Sequence, residues 1–241
     1  MSSDISKLLR KNRYEEAFKK AIEGVFDDVR NRRLHRNLVI QWRVPRKYKK
    51  FMPKEMEYQD ESLERFVSKN KDNELLAKAL THYKLGLIYE NLSKGWFGIK
   101  TDQLEKALDE YDKALSLFPD FACALFRKGA IYSILRKFDK ALESFIKAGE
   151  ADPLFCEAFF FQGNIYTIMG DLDRALESYK RAVEIDKDNA AAHNNMGLIY
   201  YYRREYKLAE KAFREVLRIF PNHPVIMKYV MDIKSRLESK S

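Results

Sequence analysis

Apolar positions fall in a helical rhythm through the second half of the chain. In Phe138-Asp139-Lys140-Ala141-Leu142-Glu143-Ser144-Phe145-Ile146-Lys147-Ala148, the residues Ala141, Phe145 and Ala148 stand at i, i+4 and i+7. That spacing puts them on one stripe of an amphipathic helix. The rhythm itself recurs: Gly129, Gly163 and Gly197 lie 34 residues apart. A tyrosine follows each by three (Tyr132, Tyr166, Tyr200), an alanine by twelve (Ala141, Ala175, Ala209) and an aromatic by sixteen (Phe145, Tyr179, Phe213). A fixed period of this length predicts stacked helix–turn–helix units. Glycine inside a helix costs about 1 kcal/mol relative to alanine, so its recurrence calls for a packing reason. The two helices of a unit are expected to cross closest at Gly and Ala. Pro119, Pro153 and Pro221 close the second helices, because proline cannot continue a helix interior.

The repeating residues resemble the tetratricopeptide repeat (TPR) family in period and in residue type. The units run about 122–155, 156–189 and 190–223, and an earlier one carries Leu85-Gly86, Tyr89, Ala107, Tyr111, Ala114 and Pro119. From Gly86 to Gly129 is 43 residues, one period plus nine, which enlarges the first turn over 91–103. Lys187 and Val216 depart from the pattern, standing for a closing proline and a late alanine. The resemblance covers about 145 residues, four units over 79–223. It implies an all-α fold, a right-handed α-solenoid of TPR helix–turn–helix repeats with a concave peptide-binding groove.

In that family the first helix of each unit lines the groove. Carried onto this chain, the lining is Tyr83, Phe126, Phe160 and Asn194, beside Leu87, Ala130, Asn164 and Leu198. Asn195 neighbours this lining, with Ile134, Ile168, Tyr201 and Tyr202 toward the helix ends. The face is mostly apolar and aromatic, suited to an extended peptide or amphipathic helix with apolar anchors. The same residue types also serve packing between neighbouring helices. Relatives that grip an acidic chain terminus use groove lysines. Here Tyr83, Phe126, Phe160 and Cys123 stand in those places, and only Asn164 and Asn195 resemble part of that clamp.

Flanking segments complete the plan. Residues 224–241 read as a capping helix and tail, with Asn222 as N-cap and Pro224 in the first turn. Residues 1–29 read as N-terminal helices of a degenerate repeat, and 59–78 as a short helical linker with a helix near 61–68. Within the enlarged turn, Trp96 and Phe97 sit between glycines. They are either a contact site or a local core folded back on the N-terminal helices.

Composition changes the picture at one place. Nine glycines and six prolines are too few for a multi-stranded sheet protein. No stretch approaches the ~18 apolar residues of a transmembrane helix. The start lacks the apolar core of a secretory signal, and Cys123 and Cys156 read as free thiols, so a cytoplasmic location is expected. The net charge is +9, yet Arg30 to Lys54 holds ten Lys/Arg and no acid, against 35 basic and 36 acidic residues elsewhere. The charge therefore sits in an arm within 30–58, where Arg32, Arg33, Arg36, Arg43, Arg46, Lys47, Lys49 and Lys50 surround Leu38-Val39-Ile40-Gln41-Trp42. Such an arm is a solvated linker, an attachment to an anionic partner, or a plug for the chain's own groove.

Chemistry finds no footing in the sequence. There is no phosphate-binding loop, no Cys-x-x-Cys pair and no nucleophile elbow. His35, His82, His193 and His223 are scattered, without the i+4 partner of a helical metal pair. No enzyme activity, cofactor or metal is expected. The expectation is an adaptor holding a protein or peptide in its groove. The alternative is a nucleic-acid- or anion-binding protein whose solenoid positions the 30–54 arm, and self-association stays open.

Overall fold

The computed structural model describes residues 60–95 and 98–238. The expected helices of 1–29, the basic arm with all its named cations, and Trp96 and Phe97 lie outside the described residues.

Ten helices make up the array among the described residues: α1 (Asp60–Lys69), α2 (Leu76–Ser93), α3 (Thr101–Leu117), α4 (Ala122–Ile134), α5 (Phe138–Ala151), α6 (Cys156–Met169), α7 (Leu172–Ile185), α8 (Ala190–Tyr202), α9 (Tyr206–Ile219) and α10 (Pro224–Glu238). They pair as antiparallel hairpins α2/α3, α4/α5, α6/α7 and α8/α9, which stack in sequence, with α10 closing on α9. This is an all-α solenoid. Between α2 and α3 the longer connection is a small hairpin, with Lys94 opposite Ile99 and Gly95 opposite Gly98. Its base is held by the Lys100 amide donating to the Ser93 carbonyl at 2.8 Å.

Each hairpin closes on one glycine. A Cβ built on Gly163 would stand 2.6 Å from the Tyr179 ring, and on Gly197 2.6 Å from the Phe213 ring. Gly129 meets Phe145 and Gly86 meets Tyr111 in the same way. The aromatic lies flat against bare backbone, and no other residue leaves room for it. Ala107, Ala141, Ala175 and Ala209 are fully buried on the second helices of the same hairpins.

The turns inside the later hairpins keep the same register. Arg136, Gly170 and Arg204, 34 residues apart, are the described residues with positive φ, at 57°, 85° and 62°. Each takes the left-handed conformation that ends a first helix and sends the chain back.

The stacking between hairpins is chemically matched. Tyr111, Phe145, Tyr179 and Phe213 each meet the residue 16 positions on, which is Arg127, Phe161, Asn195 or Tyr229. Where the ring is tyrosine, the neighbour is polar. The Tyr111 hydroxyl donates to Glu90, which pairs with Arg127 at 3.4 Å, and Asn195 Nδ2 reaches the Tyr179 oxygen at 3.2 Å. Where it is phenylalanine, the neighbour is aromatic: Phe145 and Phe161 centroids are 5.6 Å apart, and Phe213 stacks on Tyr229 at 5.1 Å. A buried hydroxyl needs a partner and a bare ring needs contact area, so each junction is satisfied in its own way.

Helix α1 is more than a connector. Phe66 stacks on Phe121 with centroids 4.0 Å apart and meets Phe118 edge-on at 5.4 Å. Arg65 clamps Asp152 through Nε at 3.1 Å and Nη2 at 2.8 Å, and Lys69 reaches Asp120 at 2.7 Å. One helix thus straddles the loops that lead into α4 and α6. The buried phenylalanine contributes about 2 kcal/mol, and the partly exposed bidentate pair about 1 kcal/mol.

At the far end, Pro224 opens α10, but the residue capping it is His223. Its Nδ1 accepts from the Ile226 amide at 3.4 Å. Asparagine is the commoner cap, but the chain enters the helix one residue after Asn222.

Candidate functional site

The expected groove is lined by α2, α4, α6 and α8, and the structure divides it in two. In its first half the expected residues are core. Tyr83 is 2 % exposed and Phe126 5 %, and Leu87 is buried with them. Tyr83 packs on Tyr111 and Phe121, and Phe121 is roofed in turn by Phe66 of α1. Phe126 is enclosed by Phe145, Phe155 and Phe161, with centroids 5.0–5.4 Å away. These three residues therefore cannot offer a side chain to a guest. Their repeat positions pointed to the groove, but Phe126 is closed over by rings of its own unit and the next, and Tyr83 by Tyr111 and by Phe121, which Phe66 of α1 roofs.

The second half is more open. Ala130, Phe160, Asn164, Asn194, Asn195, Leu198 and Tyr201 are all half-buried. Several already have partners. Asn164 Oδ1 accepts from the Tyr179 hydroxyl at 2.7 Å and from Asn195 Nδ2 at 3.0 Å, while Thr167 Oγ1 lies 3.1 Å from the same hydroxyl. Asn164 and Asn195 thereby tie α6, α7 and α8 together. Asn194 keeps a single 3.4 Å bond to Asn195. Tyr201 donates to Asp232 of α10 at 2.6 Å, and Arg236 holds the same carboxylate at 2.6 Å. Hydrogen bonds from Arg236 and then Tyr201 keep the Asp232 carboxyl below its ordinary range.

What the second half does present is a row at the ends of the first helices. Ile134 is 50 % exposed, Ile168 59 % and Tyr202 73 %, one in each of α4, α6 and α8 at the same repeat position. Three large apolar side chains left in water at one position in three successive units form an edge that costs solubility unless covered.

Two polar groups escaped the sequence reading. Arg127, almost fully buried, pairs with Glu90, and His82 Nδ1 lies 2.7 Å from Glu110 Oε2. The signal for Arg127 was its place in the row Arg127, Phe161, Asn195 and Tyr229, opposite the recurring aromatic. Both thiols are enclosed: burial pushes Cys123 up to about 12, with the Ser62 hydroxyl partly offsetting, and burial pushes Cys156 up to about 11. Among the described residues no group of His, Cys, Asp and Glu is placed to hold a metal, and no helix is long and apolar enough to cross a membrane.

Comparison with known proteins adds the family. A tetratricopeptide repeat model matches residues 190–223, and two further TPR repeat models match 163–202 and 124–153. No curated protein sequence matches the chain. Among solved structures, YrrB, described as a TPR protein with an unusual peptide-binding site, is 22% identical at a TM-score of 0.56, covering 72% of this chain and 82% of its own. MamA from Desulfovibrio magneticus RS-1 is 20% identical at 0.52, covering 79% and 96%. A tetratricopeptide repeat protein from Parabacteroides merdae is 20% identical at 0.52, covering 74% and 65%. At these identities the likeness concerns the fold. The glycine-to-aromatic closure of every hairpin, the repeat period and the matching family models together make this chain a member of the tetratricopeptide repeat superfamily.

Proposed function

We propose that the protein is a non-catalytic scaffold that holds an apolar segment of a partner protein along the second half of its first-helix face. The observation that carries this reading is the exposed row Ile134, Ile168 and Tyr202, repeated at one position in three units. Phe160, Asn194 and Leu198, half-buried beside it, extend the contact toward the middle of the helices. The peptide-binding description of YrrB is in keeping with such a role. Apolar anchors on a rigid array bind with little ordering cost, which favours a short guest segment.

A photoreactive residue in place of Tyr202 tests this directly. A cross-linked protein adduct is expected, reduced about tenfold in yield when Ile168→Asp is added. Equal yields with and without that charge would exclude the row as the contact surface.

A second reading rests on the ten Lys/Arg of 30–54, an anionic partner held by the arm. If about five or six of those cations engage phosphates, log affinity for an oligonucleotide falls with log salt at a slope near −5. A slope near zero discards it.

A further inference from the structure

We infer that the partner segment seated on the Ile134, Ile168 and Tyr202 edge is acidic as well as amphipathic. This rests on the reading just given and adds the partner's charge to it.

The charge at that edge is lopsided. The three turn segments 134–140, 168–174 and 202–208 carry seven Lys/Arg and four Asp/Glu. Two of those acids are already engaged, Asp171 by Arg174 at 3.3 Å and Asp173 by Arg203 at 2.7 Å. Arg136, Lys137, Lys140, Arg204 and Lys207 then stand against only Asp139 and Glu205.

Backbone conformation singles out two of these cations. Arg136 and Arg204 occupy left-handed positions, with φ of 57° and 62°, where Gly170 makes the same turn at 85° without a side chain. A β-carbon in that region is crowded by the following carbonyl, and the cation's favourable place at a helix C-terminus returns only part of the cost. Both side chains are exposed, and among the described residues neither has an ion pair or a side-chain hydrogen bond. The turn itself is closed by its own backbone bonds, Arg136 N to Ser133 O and Arg204 N to Tyr201 O at 3.0 Å, so what remains to be matched from outside is the two guanidinium charges.

Each arginine sits two residues past an exposed apolar anchor or its equivalent, Ile134 then Arg136, Tyr202 then Arg204. Apolar anchors flanked by unmatched cations fit a segment whose apolar face is bordered by Asp or Glu. The chain's own 30–54 arm has the wrong sign for this edge. Nucleic acid fits less well, because only Tyr202 of the three anchors offers a stacking face, and Ile134 and Ile168 offer neither that nor a hydrogen bond to a base.

Selection from a display library of amphipathic peptides with randomised flanking positions, run on the full-length chain, tests the idea. Winners are expected to be enriched in Asp and Glu. Their affinity is expected to fall about tenfold with Arg136→Gly plus Arg204→Gly, and as far with Ile134→Asp plus Ile168→Asp. The glycine pair removes charge while relaxing the turn, so that variant melts no lower than the parent and the loss is not one of folding. Neutral or basic winners that still depend on Ile168 would overturn the acidic assignment and leave the apolar row standing. Winners indifferent to Ile168→Asp, or no winners, would overturn both. Displacement of the winners by an oligothymidylate that binds more tightly through the same arginines would also overturn the assignment.

Discussion

Gly163 and Gly170 are glycines for opposite reasons. At Gly163 the limit is space, since an added Cβ would stand 2.6 Å from the Tyr179 ring. At Gly170 there is nothing within 4 Å of an added Cβ, and the limit is a φ of 85°. Gly163→Ala forces the hairpin apart and is expected to cost about 1–3 kcal/mol in a urea denaturation curve, as overpacking does. Gly170→Ala meets only backbone strain, about 1 kcal/mol. If Gly170→Ala proves the more damaging, the hairpin is not closed by ring-on-backbone contact. Arg136→Gly runs the second effect backwards and is expected to add about 0.5 kcal/mol, the relief of strain exceeding the entropy that glycine adds to the unfolded chain. Cys123 reports on enclosure: a thiol pushed up to about 12 by burial is expected to stay unlabelled by a disulfide reagent at mildly alkaline pH until the array opens. Prompt labelling of Cys123 in the folded chain would contradict its burial.

Among elements, the governing fact is that each junction between hairpins has its own chemistry. Tyr179→Phe strips a partner from Asn164, Asn195 and Thr167, and is expected to cost about 1–2 kcal/mol by thermal or urea unfolding. Phe145→Tyr is expected to cost as much, because its hydroxyl would meet Phe161 instead of an amide. Combining Phe145→Tyr with Phe161→Asn supplies the amide and should recover part of the loss; strict additivity would show that the matching is incidental. Much of this level was legible in the sequence. The 34-residue period fixed which helices pair, because glycine, alanine and ring fall at set steps along one helix face. The accessible part of the first-helix face was not legible. Tyr83 and Phe126 have the right repeat positions, but Phe66 of α1, outside the period, roofs Phe121 and through it Tyr83. His223 displaced Asn222 as cap for a similarly local reason, a one-residue difference in where the chain turns.

Across the described residues the core falls into two apolar clusters, one from Leu63 to Ile165 and one from Cys156 to Ile233, and α6 contributes side chains to both. In such an array each unit leans on its neighbours, and the ends need closure. Arg65, reaching Asp152 from α1, and Tyr201, reaching Asp232 in α10, supply it at either end. The succession of tyrosine and phenylalanine junctions also gives the array a parity. Excising residues 156–189 would seat Phe145 against Asn195, ring on amide, whereas excising 156–223 would seat Phe145 against Tyr229, the kind of contact Phe213 makes with that residue natively. The larger excision is therefore the one expected to leave a single cooperative melt. Gain or loss of modules in pairs leaves the chain's own order readable to itself, and an odd step scrambles it.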